Sequence, residues 1–509
     1  MIRASLSAMS YAKLARHFAR LGHLRHATEI LRWDEAVLMT QASGAARADA
    51  LATLEGQMHG LLADPQVPAY LTRAGDEASV GRLGPWEAAN LREIRRLQQR
   101  AAAVPATLVE QTTRAQLRAE QAWRTQREAN DWAGFAPLLT EVVARKREQA
   151  AALSMALGIS AYDALLDEYE PGCRVETIDR VFGHLRSVLP DLTEAAIERQ
   201  RERPVTLPRG PFPIESQQRL ARRLMLAVGF DERRGRLDVS HHPFCGGVPS
   251  DVRITTRYDE TDFVSALMGV LHETGHAKYE QGLPEAHVAQ PVGQARGMAL
   301  HEGQSLLQEM QISRSRPFLE FAAPLIREAF PRAVATQPEA FTVENLYRVY
   351  TRVERSYIRV DADEVTYPSH IIVRYDIERA LIEGRMEVEQ IPDAWDAGMR
   401  ELLQLPTGDD HARGCMQDVH WAAGLFGYFP TYTLGAVAAS QLYASVVRRF
   451  RDLPERIAAG DFEGLNSYLR DHVWQKGSLL ESDDLMRHAT GRSLDAGFLE
   501  AHLRRRYLE

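Results

Sequence analysis

Apolar residues recur at helical spacing along nearly the whole chain, and one short stretch, Leu237 to Asp262, breaks that rhythm. This contrast restricts the fold to a mainly helical body with one small island of strand. The segments Pro85 to Ala129, 135–158, 174–202, 215–228, 318–330 and 341–358 are rich in the strong helix formers Ala, Leu, Glu, Gln and Arg. Pro and Gly mark turns at Glu170-Pro171-Gly172, Pro208-Arg209-Gly210-Pro211 and Leu405-Pro406-Thr407-Gly408. In the exceptional stretch, Val252, Ile254 and Thr256 alternate with Arg253, Thr255 and Arg257, the period of a half-buried strand. Gly246-Gly247 and Pro249-Ser250 mark a turn before it, so a small antiparallel hairpin or sheet is expected there.

No fixed-period repeat and no low-complexity linker divides the 509 residues, which predicts one continuous domain. A net charge of -8 argues against a nucleic-acid partner, which needs concentrated positive potential. Three widely spaced cysteines, Cys173, Cys245 and Cys415, make no disulfide framework and point to a reducing, cytoplasmic setting. No apolar run reaches the roughly 18–20 residues of a membrane span, so no membrane partner is expected. The first 28 residues carry Arg3, Lys13, Arg16, Arg20 and Arg25 and no acid, a transit-peptide-like composition. Helical character continues past residue 28 without a break, and Tyr11, Leu14, Ala15 and Phe18 form a stripe. An ordinary amphipathic helix is the better reading.

The strongest chemical motif follows the strand region: His272-Glu273-Thr274-Gly275-His276. Upstream, Phe263, Ala266, Leu267, Val270 and Leu271 recur at i, i+3, i+4, i+7 and i+8, so the motif lies on an amphipathic helix. Residues four apart differ by about 40° around the axis, which aims both imidazoles at one point. Glu273 is offset by about 100° and can reach a water there without being a ligand. This is the H-E-x-x-H zinc pattern with the glutamate as general base. With 17 histidines in the chain, about 0.04 chance occurrences are expected.

A catalytic zinc site takes three protein ligands and leaves one position open. The next helical segment, residues 297–312, offers His301 and Glu302. Either serves chemically, and spacing does not decide between them.

HETGH followed by His301-Glu302-Gly303-Gln304 resembles the carboxypeptidase Taq family of zinc metallocarboxypeptidases. The resemblance extends, in order, through His242-Pro243-Phe244, Asp251-Val252-Arg253-Ile254-Thr255, Ile358-Arg359-Val360-Asp361-Ala362-Asp363 and Gly414 to Trp421, which includes Gln417, Asp418 and His420. Trp33-Asp34 through Met39 fits the N-terminal pattern, with Thr40 in place of the usual proline, and Gly303 stands where serine is common. The resemblance implies a large helical cleft fold of the angiotensin-converting-enzyme/neurolysin type, with residues 1–230 flanking the cleft and 231–509 carrying the metal. It implies Glu302, not His301, as third ligand to one divalent ion; by ligand chemistry Zn²⁺ is the default and Co²⁺ fits the same donors. It also implies a homodimer that removes single residues from peptide C-termini, with broad specificity and poor cleavage beside proline.

The expected chemistry is water activation by the metal with Glu273 as general base. His420, Tyr428 and Tyr432 are candidate donors to the oxyanion. Arg253, Arg359 and Arg374 are candidates for the substrate carboxylate, because a fixed arginine fork recognises one best. His242, with Asp251 and Thr255, is expected to shape the strand against which a peptide lies. Tyr367, His370 and Glu378 either line the cleft or form a buried polar network behind it, and Gln417 and Asp418 are placed to orient His420.

Overall fold

In the computed structural model the backbone is described from residue 2 to 509 and side chains from Ser10 onward. Helices dominate, and the only sheet among the described residues has three short strands: β1 (Gly235–Val239), β2 (Phe244–Val248) and β3 (Asp251–Thr256). The mainly helical fold with strand just ahead of the HETGH helix is the one the periodicity predicts.

The sheet differs in detail from a simple hairpin. β2 and β3 pair antiparallel, but β1 lies parallel to β3 on its other side, so the sheet is mixed. Gly246 and Gly247 are inside β2 rather than in the turn. Gly247 has φ 83°, and a Cβ there would meet Asp251 O at 2.2 Å, so only glycine closes this hairpin.

The first helix (Ile2–Val37) buries Leu14, Phe18 and Leu21 against Val67, Leu71, Ala74, Leu91 and Ile94, with Tyr11 packed at the edge. The stripe read from the first 28 residues is thus a packed helix face; the Arg3 side chain lies outside the described residues. One predicted helix is shorter than its pattern. Residues 343–350 are helical, but the chain then departs at Thr351, and the Gln200 side-chain amide satisfies the backbone N–H and C=O of Val353 instead.

Two large apolar cores meet at the centre. The helix Pro430–Arg449 gives Leu434 and Val437 to one and Ala439, Leu442 and Val446 to the other. The helix Met298–Leu306 likewise gives Ala299 to the first and Leu300 and Leu306 to the second. Glu302 therefore stands at the seam between the cores. Beside it, the HETGH helix (Phe263–Gly282) is capped by Asp262, whose carboxylate accepts the N–H groups of Val264 and Ser265. Its Val270 and Ala277 pack on Val252 and Ile254 of β3, so the sheet buttresses the helix from behind. Each fully buried Leu or Val on that helix contributes about 1.5–3 kcal/mol.

Candidate metal centre and active site

His272, His276 and Glu302 converge: one ligand atom from each lies within 4.8 Å of the others. Glu302 Oε2 is 3.5 Å from His276 Nε2 and 4.0 Å from His272 Nε2. Ligands about 2 Å from a shared zinc at tetrahedral angles stand about 3.4 Å apart, so the trio is close to the spacing the ion requires. His272 Nδ1 lies 2.9 Å from Glu309 Oε2, which leaves Nε2 as its free nitrogen on the ligand side. The donor set, two imidazoles and one carboxylate, suits a borderline-soft divalent ion.

Close helix packing delivers Glu302. A Cβ on Gly275 would meet Gln304 O at 2.5 Å, so glycine inside HETGH lets the two helices that carry the trio touch. His301, the other candidate, stacks on His276 at 4.6 Å between ring centroids, and its Nε2 lies 2.8 Å from Glu280 Oε1. It backs the His276 ring and stands outside the trio.

The electrostatics favour a cation. Burial works against charge on His272, yet the Glu309 contact and the nearby Glu302 and Glu273 carboxylates lift it to about 10. His276 is held well below its ordinary value by burial and then by His301 and His272, so it is a neutral, ligand-ready imidazole. Burial lifts Glu273 to about 7, with His272 opposing and Glu302 adding to the rise.

Facing the trio is a second cluster. Asp418 accepts Nε and Nη2 of Arg359 on Oδ1, at 3.0 and 2.8 Å, and Nε and Nη2 of Arg374 on Oδ2, at 2.7 and 2.5 Å. Burial opposes the Asp418 charge, but Arg374 and Arg359 outweigh it and hold the carboxyl well below the usual range. Arg359 Nη1 donates to Tyr367 OH at 2.7 Å, and Gln417 Oε1 accepts the Arg359 backbone N–H at 2.7 Å. The guanidinium lies over the Tyr432 ring, 5.2 Å from its centroid. His420 Nε2 is 3.3 Å from Tyr432 OH, and the Tyr428 and Tyr432 rings meet edge to face. The two clusters share one field: Glu302 raises Tyr367, Tyr428 and Tyr432, and Arg359 lowers Glu302. Tyr428, pushed by burial to about 12, keeps its proton at neutral pH. His420, lowered by burial to about 4 against the pull of Asp418, is neutral there.

The other sequence candidates sit differently. Arg374 is fully buried, with Nη1 donating to His370 O, so it faces Asp418 rather than open space. Arg253 pairs with Asp251 through two hydrogen bonds and lies 4.0 Å from the Trp33 ring centroid, joining β3 to the first helix. His242 is exposed in the loop between β1 and β2. Glu378 accepts hydrogen bonds from Tyr162 OH, from Trp421 Nε1 at 3.3 Å and from Gly427 N at 3.2 Å, which puts it behind the site as part of a buried network. His370 is buried in the same layer. Burial pushes the Cys173 and Cys415 thiols up to about 12, far from any nucleophilic thiolate at neutral pH.

No motif in the sequence singles out Glu309, Arg314, Glu280 or Gly435. Glu309 alone left a signal there: seven residues beyond Glu302, it repeats the same helix face.

A helical protein that joins a histidine pair on one helix to a glutamate on the next, with a buried glutamate beside the pair, belongs to the class of helical metallopeptidases. Residues 13–507 match the carboxypeptidase Taq (M32) metallopeptidase family, and the chain belongs to that family. It is therefore a metallocarboxypeptidase. The chain is 36% identical over 506 residues to thermostable carboxypeptidase 1 of Thermus thermophilus, covering 98% of each. It is 30% identical over 497 residues to thermostable carboxypeptidase 1 of Pyrococcus furiosus, covering 96% of this chain and 97% of that one. The solved structure of Trypanosoma cruzi metallocarboxypeptidase 1 superposes with a TM-score of 0.95 at 43% identity, covering 98% and 100% of the two chains.

Proposed function

We propose that this enzyme removes single residues from peptide C-termini with broad side-chain tolerance, using one ion held by His272, His276 and Glu302. The observation that carries this reading is Arg359: a cation fixed among Asp418, Tyr367 and Tyr432, whose charge is felt at Glu302. An exopeptidase needs such a group one residue away from the scissile bond. A bound divalent ion, Zn²⁺ by ligand chemistry with Co²⁺ accommodated by the same donors, supplies a Lewis acid and an acidified water.

The chain's own residues do the rest. Glu273, the buried carboxylate next to the histidine pair, takes the proton of the attacking water and returns it to the leaving amine. Tyr428, Tyr432 and His420 donate to the developing oxyanion, and as half-buried neutral donors held in place they need little reorganisation to do so. Arg359 receives the terminal carboxylate. Arg374 acts one step back, sharing Asp418 and so fixing the Arg359 fork. Arg253 and His242 border the approach along the sheet and contact the upstream peptide. The three unpaired cysteines support a reducing, cytoplasmic setting.

Time-resolved product analysis on an N-terminally blocked tetrapeptide tests this reading. Sequential loss of single C-terminal residues is expected. Release of dipeptides, or internal cleavage, contradicts it.

A further inference from the structure

Beyond Glu302, the ligand helix changes its winding. From Leu307 to Ser313 it opens into a π-helical turn. Such turns are rare and shift backbone carbonyls out of ordinary α-helical register, so they persist where outside groups hold them. Glu309 lies within this turn, and its two oxygens are fully used: Oε2 faces His272 Nδ1 at 2.9 Å and Oε1 accepts Arg314 Nη2 at 2.5 Å.

The outside group comes from the far end of the chain. Arg506, in the last turn of the C-terminal helix (Gly497–Tyr507), donates Nη1 to Met310 O at 2.5 Å and Nη2 to Gln311 O at 3.3 Å. These are the carbonyls of the two residues directly after Glu309. Glu364 anchors the arginine, accepting Arg506 Nη1 at 2.9 Å, His502 Nε2 at 2.7 Å and Tyr507 OH at 3.0 Å. Gln311 Nε2 closes the ring onto Glu364 Oε1 at 3.4 Å. The Arg506 and Glu364 side chains are only 7% and 4% exposed. Burial opposes charge on Glu364, but His502 and Arg506 outweigh it and hold it near 2, so the carboxylate is ionised. Charged, buried donors to two displaced carbonyls are the kind of contact that fixes a backbone turn.

We propose that Arg506 is a positioning residue for the metal centre: by clamping the π-helical turn it holds Glu309 against His272 Nδ1 and so sets the orientation of that ligand ring. The proposal rests on the reading that His272, His276 and Glu302 hold the metal. It ties the C-terminal helix, which among the described residues makes no hydrogen bond or ion pair to any of the three, to metal affinity.

The test is the zinc dissociation constant of the full-length chain, measured by competition with a chromophoric chelator. Arg506→Lys and Arg506→Gln should each weaken zinc binding by about 10-fold or more, the range seen when partners of ligand histidines are lost. Lysine keeps the charge beside Glu364 but cannot span both carbonyls, so this variant is read if the glutamine variant fails to fold. Arg505→Gln, on the exposed face of the same helix, should match wild type. The double variant Arg506→Lys/Glu309→Gln should bind no more weakly than Glu309→Gln alone, because both changes break one path. Folded Arg506 variants with affinity within about twofold of wild type, or losses that add fully in the double variant, overturn the proposal. Wild-type protein that binds no zinc, or keeps it in His276→Ala, overturns the underlying metal assignment instead.

Discussion

A methyl group on Gly435 would meet both Cβ and Cγ of Glu302 at 2.9 Å, so the helix Pro430–Arg449 lies against Glu302 only because residue 435 has no side chain. The carboxylate is held toward the two histidines by this contact. Gly435→Ala should push it away, weakening zinc binding by about 10-fold and costing about 1–3 kcal/mol of stability from overpacking. A Cβ on Gly303 meets Ala438 Cβ and Gly435 O at the looser 3.3 Å, so Gly303→Ser should cost less on both counts. Zinc competition and thermal unfolding of the two variants check the pair.

Glu302 and His301 are adjacent in sequence, but Glu302 lies in the trio and His301 faces Glu280. Glu302→Ala removes a member of the trio and should abolish stoichiometric zinc binding. His301→Gln loses only the stack on His276 and the Glu280 contact, and should retain the metal with reduced affinity. Metal content after dialysis distinguishes them. Retention by Glu302→Ala together with loss in His301→Gln would reverse the assignment.

The histidine pair was legible because a four-residue spacing on a helix is geometry that sequence states directly. The strand region was legible for the same reason, since its period of two stands out from helical surroundings. Packing between distant segments was not. Arg253, Arg359 and Arg374 look alike as motif arginines, yet one is stacked on Trp33, one lies among phenols and one is sealed beneath Asp418. β1 joins β3 in parallel through pairing that no local pattern announces. Glu309 reaches His272 from a π-helical turn, and the clamp on that turn comes from Arg506, about two hundred residues away in sequence. Residues 351–358 lie outside the helix, where Gln200 pairs with Val353 and Asp363 accepts Glu354 N, partners that no local pattern shows.

Arg359→Lys keeps the charge and loses the fork that holds Asp418 and Tyr367. If Arg359 receives the substrate carboxylate, kcat/KM should fall by at least about 30-fold, matching the roughly 2 kcal/mol or more of a broken charge pair. The loss should fall mainly on KM. Steady-state kinetics on a single blocked dipeptide show the split, and an unchanged KM would remove Arg359 from that role.

Glu378 gives a pH signature. Burial lifts it to about 7, against hydrogen bonds from Tyr162, Trp421 and Gly427 that favour its charge. Between about pH 4.5 and 7 the folded protein keeps a proton that the unfolded chain has lost, so its contribution to stability falls as pH rises through that window. In Glu378→Gln that slope disappears. The melting temperature of wild type should therefore exceed that of the variant by more at the acid end than at the neutral end. A difference independent of pH would show that the carboxyl is ionised throughout.

Glu273→Gln, with zinc content and peptide turnover measured on the same preparation, tests the role of Glu273 as general base most directly. The amide leaves His272, His276 and Glu302 intact, so one equivalent of zinc should remain bound. Hydrolysis should fall by about 10²–10⁴-fold, the usual contribution of a general base. A zinc-loaded Glu273→Gln enzyme turning over at the wild-type rate would show that Glu273 is not the general base.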